Sequence, residues 1–144
     1  MNKEYVKDFD SWNEEAKKLN AATFKGFFYA REIWWCALGI NIGSEQDGKN
    51  ESFERPVLII KKINKDLLWV LPLTSRIIED EFRISTGSTG MLSQLLLHQL
   101  KSISSKRLLR KMGTVKRIVF YETLIKLSFL VLQPHIHTNE TPPN

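Results

Sequence analysis

The sequence predicts a mainly β protein: a small, strongly curved sheet or barrel, with one helix before it and another after it. Three observations carry this. Short runs of β-branched, leucine and aromatic residues recur between residues 32 and 114, punctuated by Gly, Pro, Asn and Ser. Two of those runs are joined by a turn too tight for anything but an antiparallel hairpin. Apolar residues at helical spacing occur only at the two ends of this region.

At the N-terminal end, Val6, Phe9, Trp12, Ala16 and Leu19 recur three and four residues apart, which makes one apolar stripe. Asp8 is placed to cap this helix, and Ser11 with Glu14 offers a capping box further in. The helix is expected to end near Asn20 to Thr23, with a linker through Lys25-Gly26. Glu32 to Leu38 then reads as a strand from its aromatic content and length. A polar, glycine-punctuated loop covers residues 39–54. Pro56 is expected to open the next strand, Val57 to Lys62, because a proline is tolerated at a first strand position. Asn64-Lys65-Asp66 is a hairpin turn, and Leu67 to Leu71 returns and ends at Pro72-Leu73-Thr74-Ser75. This hairpin sets Arg55, at the start of one strand, near Thr74, at the end of the other.

A short strand is expected at Glu81 to Ile84, and a flexible loop from Ser85 to Gly90. Leu95, Leu97, Gln99, Lys101 and Ile103 mark one further strand region. Ser104 to Leu108 reads as a helical turn, and Leu109 to Thr114 as the last strand. Val115 to Leu132 is a helix apolar on so much of its circumference that it must be packed, and Pro134 stops it.

With 144 residues the chain fits one domain. Its 42% apolar and 26% charged residues fit a soluble globular protein. The single cysteine, Cys36, excludes an internal disulfide and reads as a small buried hydrophobe in a reducing, cytoplasmic setting. The polar N-terminus carries no secretory leader pattern, and charges at Glu122 and Lys126 interrupt the longest apolar stretch. No membrane association is expected. The net charge of +5 is unevenly spread. Residues 1–55 hold 8 Lys/Arg against 10 Asp/Glu, whereas residues 101–126 hold 8 against 1. Such a concentration fits an anionic partner, a nucleic acid or an acidic protein, or else a solvated basic face. His135 and His137 are too few to predict a metal site, and no cofactor is expected.

Glu32-Ile33-Trp34-Trp35, Gly43-Ser44-Glu45-Gln46, Arg55-Pro56-Val57-Leu58-Ile59, Pro72-Leu73-Thr74-Ser75 and Gln99-Leu100-Lys101-Ser102-Ile103 fall, in this order, where the MazF/PemK toxins of type II toxin–antitoxin systems carry their motifs. The chain resembles that family over roughly residues 30 to 132, about one domain. The resemblance implies an SH3-like barrel of the MazF/PemK/CcdB type with a C-terminal helix. It also implies a homodimer, metal-independent cleavage of single-stranded RNA, and a cognate antitoxin whose acidic segment covers the RNA groove. On this basis residues 1–24 are an added helical extension, 25–133 the barrel domain with its helix, and 134–144 a disordered tail.

Residue by residue, the resemblance implies that Arg55 and Thr74 are catalytic. Ser44, Glu45 and Gln46 form the loop that shapes the substrate groove, beside Ser75, and Gln99 and Lys101 belong to a glutamine-x-basic motif that binds substrate. The sequence departs from the family at Ala37, where many members carry an aspartate, and in the extra residues Asp47 to Glu54.

The chemistry suits these residue types. Attack by the ribose 2′-hydroxyl makes a pentacoordinate phosphorus with extra negative charge, which positioning and electrostatics must stabilise. The Arg55 guanidinium is a rigid fork of donors matched to phosphate but a poor base. Its alternative is an ion pair with Glu45, Glu51 or Glu54. Thr74 offers a hydroxyl donor, or is simply a β-branched strand residue. Glu45 is the candidate proton acceptor, or a loop carboxylate paired with Lys49 or Arg55. Gln46 and Gln99 can read unstacked bases, or are surface amides. Trp34, Trp35 and Trp69 are base-stacking platforms, or core and interface residues. A second function fits the same barrel: a non-catalytic module that binds RNA or an acidic peptide.

Overall fold

A computed structural model of the chain describes residues 4–87 and 93–133. The expected tail, 134–144, with its two histidines, lies outside the described residues, as does part of the loop from Ser85 to Gly90. The elements run α1 (Phe9–Ala21), β1 (Glu32–Ala37), β2 (Glu54–Lys62), β3 (Leu67–Thr74), β4 (Arg83–Ser85), β5 (Gln94–Leu96), β6 (Lys101–Ser104), β7 (Leu108–Thr114) and α2 (Arg117–Leu132).

All strand pairs are antiparallel. β7, β1, β2 and β3 follow one another across the sheet, and β6 pairs with the first half of β3. A 3-10 turn at Ser105–Arg107 leads from β6 into β7, so the sheet bends round on itself. The fold is therefore a curved, mainly antiparallel sheet with two helices.

Two cores explain why β2 reads as an unbroken apolar run. Val57 and Ile59 point into the barrel with Trp34, Cys36, Leu68, Val70 and Ile103. Leu58 points the other way, toward Ile33, Leu71, Leu95 and Phe120, where α2 covers the sheet. A strand buried on both faces has no polar side to alternate with. Cys36 is fully buried, and that burial pushes its thiol up to about 12.

Several expectations need correction. β2 starts at Glu54, before Pro56, because its pairing with β1 runs back to Arg55 opposite Cys36 and Glu54 opposite Ala37; Lys49 and Glu54 also exchange backbone hydrogen bonds of 2.8 Å each. Residues 94–104 are not one strand. Gln94 and Leu95 pair with the end of β3, whereas Lys101 to Ser104 pair with its beginning, and the 3-10 turn Leu97–Gln99 makes the step between. β4 lies two residues later than expected at its start, Arg83.

Asp8 caps α1 by accepting from the Ser11 backbone N at 3.0 Å, so the Ser11–Glu14 box is not used. Val6 precedes the helix and is exposed. In α2, Val119, Leu124, Leu127 and Leu130 pack on the sheet, but Ile118, Tyr121, Ile125 and Phe129 are exposed. No helix among the described residues is long and apolar enough to cross a membrane.

Glu32 anchors the start of β1. Its carboxylate accepts from Trp34 Nε1 at 3.1 Å and from the Tyr29 backbone N at 2.8 Å, and it meets Lys111 Nζ at 2.8 Å. Burial alone would raise its pKa, but these bonds outweigh burial and hold the carboxyl below its ordinary value. A depressed carboxyl contributes stability above its unfolded pKa, and this is lost as pH falls through the lower folded value. Glu32→Gln should therefore lower the melting temperature at neutral pH. The gap from wild type should close as the solution is acidified below about pH 4, the ordinary carboxylate range.

Candidate active site

Arg55 is the second residue of β2 and shares the inward face of Val57 and Ile59. The β2–β3 register pairs Val57 with Pro72, and continuing it two residues sets Arg55 against Thr74. Hairpin geometry thus joins two residues 19 positions apart in sequence. Both line one open cavity of about 510 Å³, together with Lys49, Ser75, Trp35 and Met112.

The guanidinium is fixed before any ligand arrives. Arg55 Nε donates to the Asp47 carbonyl at 2.7 Å, and Nη1 donates to the Leu73 carbonyl at 3.1 Å. With the Gln46 amide turned so that its oxygen faces the arginine, that oxygen accepts from Nε at 3.2 Å and Nη2 at 2.8 Å. Arg55 is only 7% exposed, and burial lowers its pKa, with Asp47 and Tyr5 opposing. The group still carries its charge at neutral pH, because guanidinium starts from so high a value. Neither Glu45, Glu51 nor Glu54 pairs with it among the described residues; Glu54 is instead held at 3.0 Å by both terminal nitrogens of Arg110. The cation faces the cavity without a carboxylate bonded to it.

The Thr74 hydroxyl oxygen accepts from the Arg76 backbone N at 3.2 Å, so its proton is free to donate elsewhere. Ser75 is exposed at the rim. Glu45 is exposed on the loop and lines a second cavity of about 310 Å³ with Gln46, Lys49 and Arg55. Lys49 and Arg55 border both cavities.

Gln99 and Lys101 act on the loop. Gln99 Oε1 accepts from the Gln46 backbone N at 3.0 Å, and its Nε2 donates to the Ser44 carbonyl at 3.1 Å. Lys101 Nζ donates to Asn41 Oδ1 at 3.2 Å; burial, then Arg107, lowers its pKa. The basic C-terminal residues are dispersed. Arg110 lies over Trp35 at 5.0 Å, Lys111 pairs with Glu32, and Arg107 donates to the Ala37 and Leu38 carbonyls. Trp34 is core, Trp35 borders the larger cavity, and Trp69 is 41% exposed. His98 is exposed in its turn and lies against Phe82.

Sequence reasoning missed the N-terminal segment. Tyr5 OH donates to Asp47 Oδ2 at 2.9 Å, and Lys7 Nζ lies 3.2 Å from the same oxygen. Lys7 also donates to the Asn41 carbonyl at 2.6 Å and the Gly43 carbonyl at 2.9 Å. Asp47 Oδ1 takes the Asn41 backbone N at 2.6 Å, while the Asp47 carbonyl holds Arg55. Burial, then the Asp47 bond, raises the Tyr5 pKa. Trp12 of α1 lies against Phe53 and over Gly39, whose φ of 83° and lack of a side chain let the indole in. No periodicity signals contacts of this kind. The one available hint is the sole aspartate of the inserted loop, set beside a glycine in Asp47-Gly48.

Asp47→Ala should leave the Tyr5 hydroxyl and the Asn41 backbone N without their acceptor, strip Lys7 of its counter-charge and loosen the loop. We expect a loss of about 1–3 kcal/mol in denaturant unfolding. Faster amide hydrogen exchange should be largest at residues 41–49, with the slowest barrel-strand amides sped up only by the global loss.

Comparison with known proteins bears on the fold and the family. The model of the PemK-like, MazF-like toxins of type II toxin–antitoxin systems matches residues 29–131. No curated protein matches the chain. Among solved structures, MazF from Deinococcus radiodurans superposes with a TM-score of 0.64 at 21% identity, over 74% of this chain and 98% of that one. The MazE–MazF complex of the same organism gives 0.59 at 17% identity, over 76% and 100%. An endoribonuclease from mycobacterial species, solved with its cognate antitoxin, gives 0.57 at 12% identity, over 75% and 98%. At these identities the likeness is one of fold, and the family model adds the kinship: this chain belongs to the PemK-like, MazF-like toxins of type II toxin–antitoxin systems.

Proposed function

We propose that the protein is an endoribonuclease toxin that cuts single-stranded RNA in the cytoplasm by 2′-hydroxyl attack, without a metal, and is silenced by a cognate antitoxin. One observation carries the proposal: Arg55 and Thr74 meet at a single open cavity, the arginine already oriented and without a bonded carboxylate.

The scissile phosphate sits against the free N–H groups of Arg55, with the Thr74 hydroxyl donating to a non-bridging oxygen. Extra charge on the pentacoordinate phosphorus then meets a fixed cation that needs no reorganisation. Lys49, at the border of both cavities, adds a second positive charge. Glu45 is the candidate acceptor of the 2′ proton, and Ser44, Gln46 and Ser75 contact the strand beside it. Gln99 and Lys101 serve substrate binding by holding the loop in shape. The exposed apolar face of α2, Ile118, Tyr121, Ile125 and Phe129, is the surface a second copy covers in a homodimer.

A non-catalytic binding barrel is the competing reading. The near-complete burial of Arg55 and its bonds to two carbonyls favour it, since a structural arginine would be held in the same way.

Incubation of the purified protein with a mixed RNA pool in EDTA, followed by mapping of the ends, separates the two. We expect 5′-hydroxyl ends at a preferred sequence. Arg55→Ala should cut at least ~100-fold more slowly while melting cooperatively, as loss of one charge-stabilising donor implies. Cleavage that needs magnesium, or equal RNA binding by both proteins with no cleavage by either, would defeat the proposal. By light scattering, Ile125→Glu should convert a dimer into a monomer.

A further inference from the structure

A third cavity, of about 350 Å³, opens where the segment between α1 and β1 crosses the tip of the β2–β3 hairpin. Four lysines line it: Lys25 from the segment, Lys62 and Lys65 from the hairpin, and Lys106 from the 3-10 turn. Asp66 is the single carboxylate among the described lining residues. None of the four lysines forms an ion pair among the described residues. Phe24, Phe27 and Phe28 supply aromatic walls. Phe28 is buried, with the Lys62 ammonium over its ring at 4.6 Å, whereas Phe27 is 77% exposed. Tyr29, 59% exposed, lies beside them with Lys62 5.2 Å from its ring.

Cations without acidic partners, interleaved with solvent-facing rings, match a ligand that has both regularly spaced negative charges and flat apolar faces. A single nucleic-acid strand has both. An acidic peptide needs the charges but gains little from exposed phenylalanine. We infer that this cavity is a second binding site for single-stranded RNA, distinct from the Arg55 cavity, which grips a flanking part of the same strand. The choice of RNA rests on the ribonuclease proposal above. Lys62 lies seven residues beyond Arg55 on β2, roughly 23 Å along an extended strand, so only a long substrate reaches both sites. Seven of the twelve lining residues, Ala22 to Phe28, precede residue 29, where the family match begins. The site thus joins residues ahead of the family match to residues within it.

Fluorescence anisotropy with 2′-O-methylated oligonucleotides tests this on intact protein, since a strand lacking the nucleophile stays uncut. Strands of about 20 and about 5 nucleotides are compared, the range that single-strand sites span. For the long strand, Lys25→Gln/Lys65→Gln should raise the Kd about tenfold and flatten the plot of log affinity against log salt by about 1.4, two phosphate contacts at ~0.7 each. Phe27→Ser, at an exposed position, should weaken it at least ~5-fold, as loss of one stacked base does. Neither variant should alter short-strand binding or the cleavage rate of an unmethylated short strand. Unchanged long-strand affinity and salt slope would overturn the second site. So would lysine-dependent binding of a polyglutamate peptide with no lysine effect on RNA, which would assign the cavity to an acidic protein. Weakened long-strand binding by a protein that cuts no RNA would uphold this site and remove the ribonuclease.

Discussion

The site depends on a guanidinium held by two main-chain carbonyls, one from the end of β3 and one from the inserted loop. A buried cation is costly unless its donors are satisfied, and backbone carbonyls satisfy them without neutralising the charge. A carboxylate in their place would bind the arginine more strongly and would compete with a phosphate. Asp47 is nearby, but it turns its carboxylate toward Tyr5, Lys7 and the Asn41 backbone and offers Arg55 only its carbonyl. That division of one residue between two tasks keeps the positive charge available.

The loop carrying Asp47 is held from three directions. Gln99 clasps Ser44 and Gln46 from the 3-10 turn after β5, Lys101 reaches Asn41 from β6, and Lys7 binds the carbonyls of Asn41 and Gly43 from ahead of α1. A loop of this length would otherwise sample many conformations at a large entropic cost. Anchored to rigid strands, it can offer Glu45 and Gln46 at fixed positions beside Arg55. The N-terminal extension therefore belongs to the architecture of the site.

Much of the barrel could be read from local pattern. The run from Val57 to Ile60 announces a strand buried on both faces, and Asn64-Lys65-Asp66 announces its turn, so the nearness of Arg55 and Thr74 follows from counting along a hairpin. Trp34 and Trp35, adjacent in an alternating strand, separate into a core residue and a cavity wall for the same reason. The rest is tertiary. Three consecutive buried leucines, 95 to 97, do not reveal that the chain changes its place along β3 immediately afterwards. Nothing local links Tyr5 to Asp47 across 42 positions, and a motif glutamine such as Gln99 looks alike whether it faces a base or a backbone. Contacts that depend on how distant surfaces meet leave no period to detect.

Within the inserted loop, Lys49 and Glu54 exchange both of their backbone bonds, and Gly48 lies so close to the Phe53 carbonyl that a side chain there would collide. Residues 50–53 thus form a ring closed at its base, with Asn50 at the rim of the larger cavity. Phe53 ties this tip to α1 through Trp12 and to the Gly39 backbone N, which leaves residues 50–52 as its variable part. On the proposed function, substitutions at residues 50–52 change what a bound strand meets, while the bonds that orient the arginine come from elsewhere, from the Asp47 and Leu73 carbonyls.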